Sequence, residues 1–203
     1  MRPLCLRCQR PLPACLCAWV RPTANQLPVL VLQHPREAAQ AKGSVRLLGL
    51  SLQACTVQVG TEFDPAALAA WLGPPGASLL LYPNAPGAAP LPAGPLPQPA
   101  RLVLLDGTWR QARGLLRSHP ALQALPRWAL PDLAPPRYSI RRAQQPGQRS
   151  TLEAACAALG LLEGRPAHYL PLLDAFSGWV TEVAARAAAR PPGLNPGAAR
   201  TAA

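Results

Sequence analysis

The sequence predicts an α/β fold with a largely parallel sheet that carries helices on both faces. Three apolar runs have the length of buried strands, at residues 27–34, 78–83 and 101–106. Segments with helical patterning alternate with these runs, which is typical of a parallel sheet covered on both sides. At 203 residues, the chain is long enough for one domain with a proper core and a small appendage.

The other elements follow from local signals. Residues 64–73 read as a helix with an Asp cap, a proline in the first turn and a closing glycine. Ser150 or Thr151 caps another helix, with Glu153 near the capping-box position. Periodicity and turn residues predict the rest: a turn leading into a helix over 34–53, strands over 55–60 and 137–142, a Pro- and Gly-rich loop over 84–99, and helices over 108–120, 150–164 and 171–190.

Composition divides the chain into three parts. A Cys-rich head occupies residues 1–22, the α/β domain residues 23–190, and a loose tail residues 191–203. No apolar run is long enough to span a bilayer, and the N-terminal residues lack a signal-peptide core. We therefore expect a soluble, cytoplasmic protein with no membrane association and no evident obligate protein partner.

Positive charge is concentrated in two blocks. The net charge is +11, and nineteen of the twenty basic residues are Arg. Residues 1–50 carry seven bases and one acid, and residues 101–150 carry nine and two, whereas residues 51–100 have no base. A biased genome composition explains Arg in place of Lys, but it does not explain the excess of bases over acids. The distribution predicts a nucleic-acid partner.

Four cysteines in the head predict a zinc site. Cys5, Cys8, Cys15 and Cys17 form two close pairs that can turn back on one tetrahedral ion. Two disulfides are the first alternative, which a reducing cytosol disfavours. A redox CxxC is the second, but it leaves the other pair unexplained. Because all four ligands are protein atoms, we expect the ion to be structural. Cys55 and Cys156 lie in apolar sequence and are expected to be core residues.

Polar clusters follow three of the predicted strands. They are His34-Pro35-Arg36-Glu37, Tyr82-Pro83-Asn84 and Asp106-Gly107-Thr108-Trp109. In parallel sheets the ligand crevice lies beyond the carboxyl ends of the strands, so these clusters should converge on one site. After Trp109 three arginines share one helix face and could contact a phosphate backbone: Arg110, Arg113 and Arg117. An acid beside an aromatic plate suits the handling of an unstacked base.

Each of these residues also has a simpler interpretation. Asp106 could cap the following helix, and Trp109 could be a core residue. The arginine stripe could be an ordinary solvated face, and a histidine before a proline, such as His34, is often structural. Their combination at the end of one strand favours the functional interpretation.

The motifs together resemble the DTW-domain family. LDGTW followed by RQA, at residues 105–112, is similar to the family signature. Five further blocks stand in the family order: CLRC…CLC in the head, HPRE at 34–37, LYP at 81–83, RYSIRR at 137–142 and STLEA at 150–154. The resemblance covers residues 5 to about 160.

This resemblance implies a function, a fold and a set of site residues. Such proteins are similar to tRNA-uridine aminocarboxypropyltransferases, which transfer the 3-amino-3-carboxypropyl group of S-adenosylmethionine to the ring imide nitrogen of a uridine in tRNA and release methylthioadenosine. The implied fold is SPOUT-like, with a C-terminal trefoil knot. Asp106, Thr108 and Trp109 would be catalytic, with Asp106 as general base. The implied cofactor site comprises Leu81, Tyr82, Pro83, Leu105, Asp106, Gly107, Trp109, Tyr138, Ile140, Arg141, Ser150, Thr151 and Glu153. The implied RNA contacts are His34, Arg36, Arg110, Arg113, Arg117 and Arg142.

The sequence departs from the family pattern at two places. Lys42-Gly43-Ser44 stands where many members have Asn-Thr or Asn-Ser, so no role is carried over to Ser44. The loop over 84–99 is long and contains no acid.

Residue types leave three other classes of protein open. A SPOUT-type RNA methyltransferase would use the same fold, and a non-catalytic zinc-knuckle protein would bind RNA without S-adenosylmethionine. A zinc-stabilised redox or structural protein would need neither, and the arginine distribution argues against it.

Overall fold

The structure is a computed structural model that describes residues 3–40, 42–82, 101–130 and 149–189. Within these residues five strands form one entirely parallel sheet in the order β2-β1-β4-β3-β5. The strands are β1 (Val29–Gln33), β2 (Cys55–Val59), β3 (Ser78–Leu81), β4 (Arg101–Asp106) and β5 (Arg127–Trp128). The predicted parallel sheet is confirmed, and β5 is an edge strand that the sequence did not predict.

Seven α-helices connect and cover the strands in the described part of the chain. They are α1 (Pro35–Ala38), α2 (Val45–Ser51), α3 (Pro65–Leu72), α4 (Trp109–Ser118), α5 (Pro120–Gln123), α6 (Thr151–Leu162) and α7 (Leu170–Ala188). The turn and helix predicted over 34–53 are two helices with a break between them. At that break a Cβ on Gly43 would come within 3.2 Å of the Glu37 carbonyl oxygen, so the tight turn favours glycine.

Helices cover both faces of the sheet, as predicted. Alternate strand residues point to opposite sides, which gives two apolar cores. The first core joins the sheet to α2, α6 and α7, and its members include Val29, Val31, Leu102, Leu104, Leu47, Leu159 and Phe176. The second joins it to α3, α4 and α5, and its members include Leu30, Leu32, Val103, Leu68, Leu116 and Leu122. Each fully buried Val or Leu contributes about 1.5–3 kcal/mol.

The Cys-rich head packs against the first core. Cys8 and Leu16 are completely buried within it. Trp19 lies against α7, where its indole Nε1 donates to Glu182 Oε2 at 2.6 Å. Arg186, one turn further along α7, donates to the Pro13 carbonyl and pairs with Glu182. Whether the head counts as a separate unit stays a prediction, but it is anchored on the C-terminal helix.

Several predictions lie outside the described residues. They are the loop over 84–99, the strand over 137–142, the tail over 191–203 and the site residues Pro83, Tyr138, Ile140, Arg141 and Arg142. Among the helices that are described, none is both long and apolar enough to cross a membrane.

Candidate active site

The sheet register brings the predicted polar clusters together. β4 lies between β1 and β3, and Gln33 stands directly opposite Asp106 in the β1–β4 pairing. The backbone N–H of His34 donates to the Asp106 carbonyl at 2.9 Å. Tyr82 follows β3 on the other side of β4. The convergence of the three strand ends on one edge is confirmed.

The Asp106 carboxylate is held by two neutral donors. Gln33 Nε2 donates to Oδ2 at 2.9 Å, and the Thr151 hydroxyl donates to Oδ1. Gln33 is 6% exposed, so its amide is fixed by the surrounding packing. Thr151 is the first residue of α6, whose N-terminus carries a partial positive charge that stabilises an anion. The carboxylate is therefore oriented at both oxygens.

Asp106 does not cap the helix that follows it. Thr108 is the cap of α4: its hydroxyl accepts from Gln111 N at 3.3 Å, and Gln111 Oε1 accepts from Thr108 N at 2.6 Å. Gly107 permits this closure, because a Cβ there would stand 2.9 Å from the Gln111 Cβ. The alternative interpretation of Asp106 as a helix cap is therefore wrong. Its carboxylate binds Gln33 and Thr151 at the candidate site instead of the backbone of α4.

Two serine hydroxyls accept hydrogen bonds from backbone N–H groups in the first turn of α6. Ser150 and Glu153 form the predicted capping box, with Ser150 N donating to Glu153 Oε2 at 2.8 Å. Ser44 Oγ accepts from Leu152 N at 3.4 Å. The predicted contact of Ser150, Thr151 and Glu153 with a cofactor stays a prediction. Sequence reasoning missed Gln33 and Ser44, because both act through partners more than seventy residues away.

Aromatic and cationic side chains contact one another beside the ends of β3 and β4. Trp109 is 53% exposed, so its interpretation as a core residue is wrong. Its ring lies edge-on to Tyr82, with centroids 6.2 Å apart. The guanidinium carbon of Arg127 lies 5.9 Å from the centre of the Tyr82 ring, within cation–π range. The short strand β5 supplies Arg127, a residue that belongs to none of the predicted motifs.

The arginine stripe of α4 lies on the solvent side of the helix. Arg110, Arg113 and Arg117 are exposed, whereas the opposite face of the helix is buried through Ala112, Leu115 and Leu116. Beside β1, His34 Nδ1 accepts from the Arg36 backbone N–H at 3.2 Å and caps α1. The Arg36 side chain is exposed.

The four head cysteines form a cluster that could hold a metal ion. Their sulfur atoms all lie within 4.8 Å of one another. The Cys5–Cys17 and Cys8–Cys15 sulfur pairs are each 3.7 Å apart, whereas a disulfide needs about 2 Å. Tetrahedral zinc with Zn–S bonds of about 2.3 Å separates its sulfurs by about 3.8 Å. The donor set and its spacing therefore fit zinc.

The thiol pKa values differ within the head as well as outside it, and burial raises that of Cys17 to about 12. Backbone N–H groups of Cys8 and Arg7 lower the pKa of Cys5 to about 6, which favours the thiolate that a metal needs. Burial raises the pKa of Cys55 and that of Cys156 to about 12. Cys156 is a core residue, as predicted, and Cys55 is half-buried against the same core.

Comparison with known proteins agrees with these features. Residues 2–184 match the DTW domain. Relatives named tRNA-uridine aminocarboxypropyltransferase 2 are similar to 80% of the chain: 35% identical in Drosophila melanogaster, 35% in Mus musculus and 33% in Macaca fascicularis. The matches cover 67%, 57% and 57% of those proteins, so the chain spans between just over half and two thirds of their lengths. Among solved structures there is no significant match.

Proposed function

We propose that the chain, which belongs to the DTW-domain family, is a tRNA-uridine aminocarboxypropyltransferase. In the proposed reaction S-adenosylmethionine supplies the 3-amino-3-carboxypropyl group, and the ring imide nitrogen of a uridine accepts it. The names of the relatives support the reaction class. The observation that carries the proposal is the oriented carboxylate of Asp106 at the edge where three strand ends meet.

Asp106 acts as the general base in this proposal. The uracil imide is a poor nucleophile until its proton leaves, and a positioned carboxylate can take that proton. The nitrogen then forms a bond to the carbon next to the sulfonium sulfur. That carbon–sulfur bond breaks, the sulfur keeps the electron pair, and methylthioadenosine leaves as a neutral thioether. Gln33 and Thr151 hold the carboxylate in place, so positioning contributes part of the rate.

The exposed groups around Asp106 suit an RNA substrate. The half-exposed Trp109 and its neighbour Tyr82 offer faces on which an unstacked base can lie. The exposed arginines of α4 can contact the phosphate backbone, and His34 and Arg36 border the same edge from β1. In this arrangement the substrate is tRNA, and its uridine is bound between the carboxylate and the aromatic side chains.

The donor is proposed to bind between β3, β4 and the start of α6. Leu81, Leu105 and Gly107 are half-buried at the ends of these strands. Pro83, Tyr138, Ile140 and Arg141 are proposed to complete this pocket. Thr108 keeps its proposed place beside it, although its hydroxyl also caps α4. The SPOUT-like fold, its trefoil knot and a cytoplasmic location remain proposals implied by the family resemblance.

The ion proposed for the cysteine cluster is Zn²⁺. Cys5, Cys8, Cys15 and Cys17 fit it by thiol chemistry and by spacing. Four protein ligands leave no open position, so the ion would be structural and would hold the head in the shape that packs against α7.

Mass spectrometry of tRNA nucleosides tests the proposed reaction. Wild-type protein with S-adenosylmethionine should give a uridine heavier by an aminocarboxypropyl group, together with methylthioadenosine. Asp106→Asn should still bind tRNA but should lose at least about a hundredfold in rate, since general bases contribute about 10²–10⁴. Asp174→Asn is the matched control, because Asp174 is an exposed carboxylate on α7, and it should behave as wild type. A uridine heavier by only a methyl group would refute the proposed chemistry.

A further inference from the structure

A second concave site adjoins the Asp106 site. It is a cavity of about 520 Å³ between the Cys-rich head, α1, α2 and the outer strand β2. Gln33 lines this cavity and also donates to Asp106, so the two sites share one side chain. A volume of this size falls in the range that holds small ligands or a single nucleotide.

The cavity has an apolar wall and a cationic wall. Leu50, Val57 and Val59 supply apolar surface from α2 and β2. Arg10 from the head and Arg46 from α2 supply two guanidinium groups. Such a combination suits a nucleotide, with the base or sugar against the apolar side and the phosphate near the cations.

Neither guanidinium is neutralised by a carboxylate in the described parts of the chain. Arg10 donates to the Gln40 carbonyl at 3.4 Å, and Arg46 donates to Gln9 Oε1 at 3.2 Å. The salt bridges found there involve other arginines, Arg165 and Arg186. Glu37 contributes a carboxylate to the lining but pairs with neither cation. Arg10 also packs on the Trp179 ring. Each guanidinium has five N–H donors, and those that these contacts leave are available to an anion.

Arg10 and Arg46 bring two like charges to one cavity. An anion between two like charges offsets their repulsion. Arg46 is exposed, so a phosphate that enters from solvent can reach it.

We propose that this cavity binds a nucleotide of the tRNA next to the reacting uridine, with its phosphate on Arg10 and Arg46. This inference rests on the proposed function for the identity of the nucleic acid. The shared side chain of Gln33 places the cavity beside the carboxylate, which suits neighbouring nucleotides of one strand. The cavity therefore fixes the position of the uridine along the RNA.

Arg10 also contacts α7, and this contact determines the choice of variant. The Arg10 guanidinium carbon lies 5.0 Å from the centre of the Trp179 ring, so replacing Arg10 would loosen the head from that helix. Arg46 lies on α2 and is free of that contact, so the test uses Arg46→Gln.

The test compares Arg46→Gln with Arg7→Gln, using the full chain and an unmodified tRNA transcript. Arg7 is an exposed head residue that does not line the cavity, so both variants lose one charge in the same region. We expect Arg46→Gln to weaken tRNA binding about tenfold or more, as loss of a charge-assisted hydrogen bond does. Its plot of log affinity against log salt should also become shallower by about 0.7–0.9, the loss of one phosphate contact. Arg7→Gln should leave both quantities near wild type, and Arg46→Lys should restore the slope.

The outcomes separate this inference from the proposed function. If wild-type protein modifies tRNA uridine and Arg46→Gln binds tRNA as wild type does, the cavity assignment is wrong and the reaction stands. If Arg46→Gln weakens S-adenosylmethionine binding instead of tRNA binding, the cavity belongs to the donor and the assignment is also wrong. If wild-type protein gives no product while Arg46→Gln still lowers tRNA affinity and slope, the cavity binds RNA and the proposed reaction fails.

Discussion

The Cys-rich head packs against α7 at Gly178, where the Trp19 ring lies on the helix, so an alanine at this position should destabilise the protein. A Cβ at this position would stand 2.7 Å from Cη2 of Trp19 and nearer still to its Cζ3. The indole cannot simply swing aside, because its Nε1 is bound to Glu182. Overpacking of this kind costs about 1–3 kcal/mol. Loss of a hydrogen bond to a charged group costs a further 1.5–3 kcal/mol or so.

The expected effect of Gly178→Ala is a net loss of about 1.5–5 kcal/mol, because alanine also recovers about 1 kcal/mol of helix propensity. A chain of this length shifts its Tm by about 2–4 °C per kcal/mol, so the Tm should fall by roughly 3–20 °C. The assay is thermal unfolding, repeated in urea at 25 °C to obtain the free energy of unfolding.

Gly114→Ala is the matched control. Gly114 also lies within a helix, α4, but a Cβ there would meet nothing within 4 Å. This variant should gain about 1 kcal/mol, the full difference in helix propensity. The two substitutions are chemically identical and should act in opposite directions. If Gly178→Ala were as stable as Gly114→Ala, the docking of Trp19 on α7 would be refuted.

Two further predictions concern the carboxylate and the metal. Thr151→Val removes the hydroxyl donor to Asp106, so transfer measured well below the Tm should slow by about ten- to a hundredfold, and the free energy of unfolding should fall by about 1.5–3 kcal/mol. Thr181→Val, on exposed α7 surface, should transfer at the wild-type rate, and an equally fast Thr151→Val would contradict the role of the hydroxyl. Native mass spectrometry should find one zinc per chain. Its removal by a chelator should lower the free energy of unfolding by about 4 kcal/mol at metal concentrations a thousandfold above Kd, and an unchanged Tm without metal would contradict the structural role.

The sequence reveals those parts of the site that depend on local pattern. Asp106 could be identified because an apolar run ends on it, and the arginine stripe because helical spacing sorts Arg110, Arg113 and Arg117 onto one face. The capping box at Ser150 is likewise a local signal that the structure confirms.

Other parts depend on how distant segments come together. Gln33 reaches Asp106 only because β1 pairs with β4 in one register, and no local pattern specifies that pairing. Ser44 meets the start of α6 across 108 residues of chain. The strand β5 has two residues, too few to show a period, so Arg127 and its contact with Tyr82 could not be foreseen.

The contact between Trp19 and Glu182 joins residues 163 positions apart, and this separation has a consequence during synthesis. At about 5–20 residues per second, a ribosome needs roughly 10–30 s to make the chain between them. The head emerges first, and α7 becomes available only after the whole sheet has been translated. Throughout that interval the indole has no Glu182 carboxylate to bind. The four thiols are all present from the beginning, so a metal ion can organise the head before its partner helix exists.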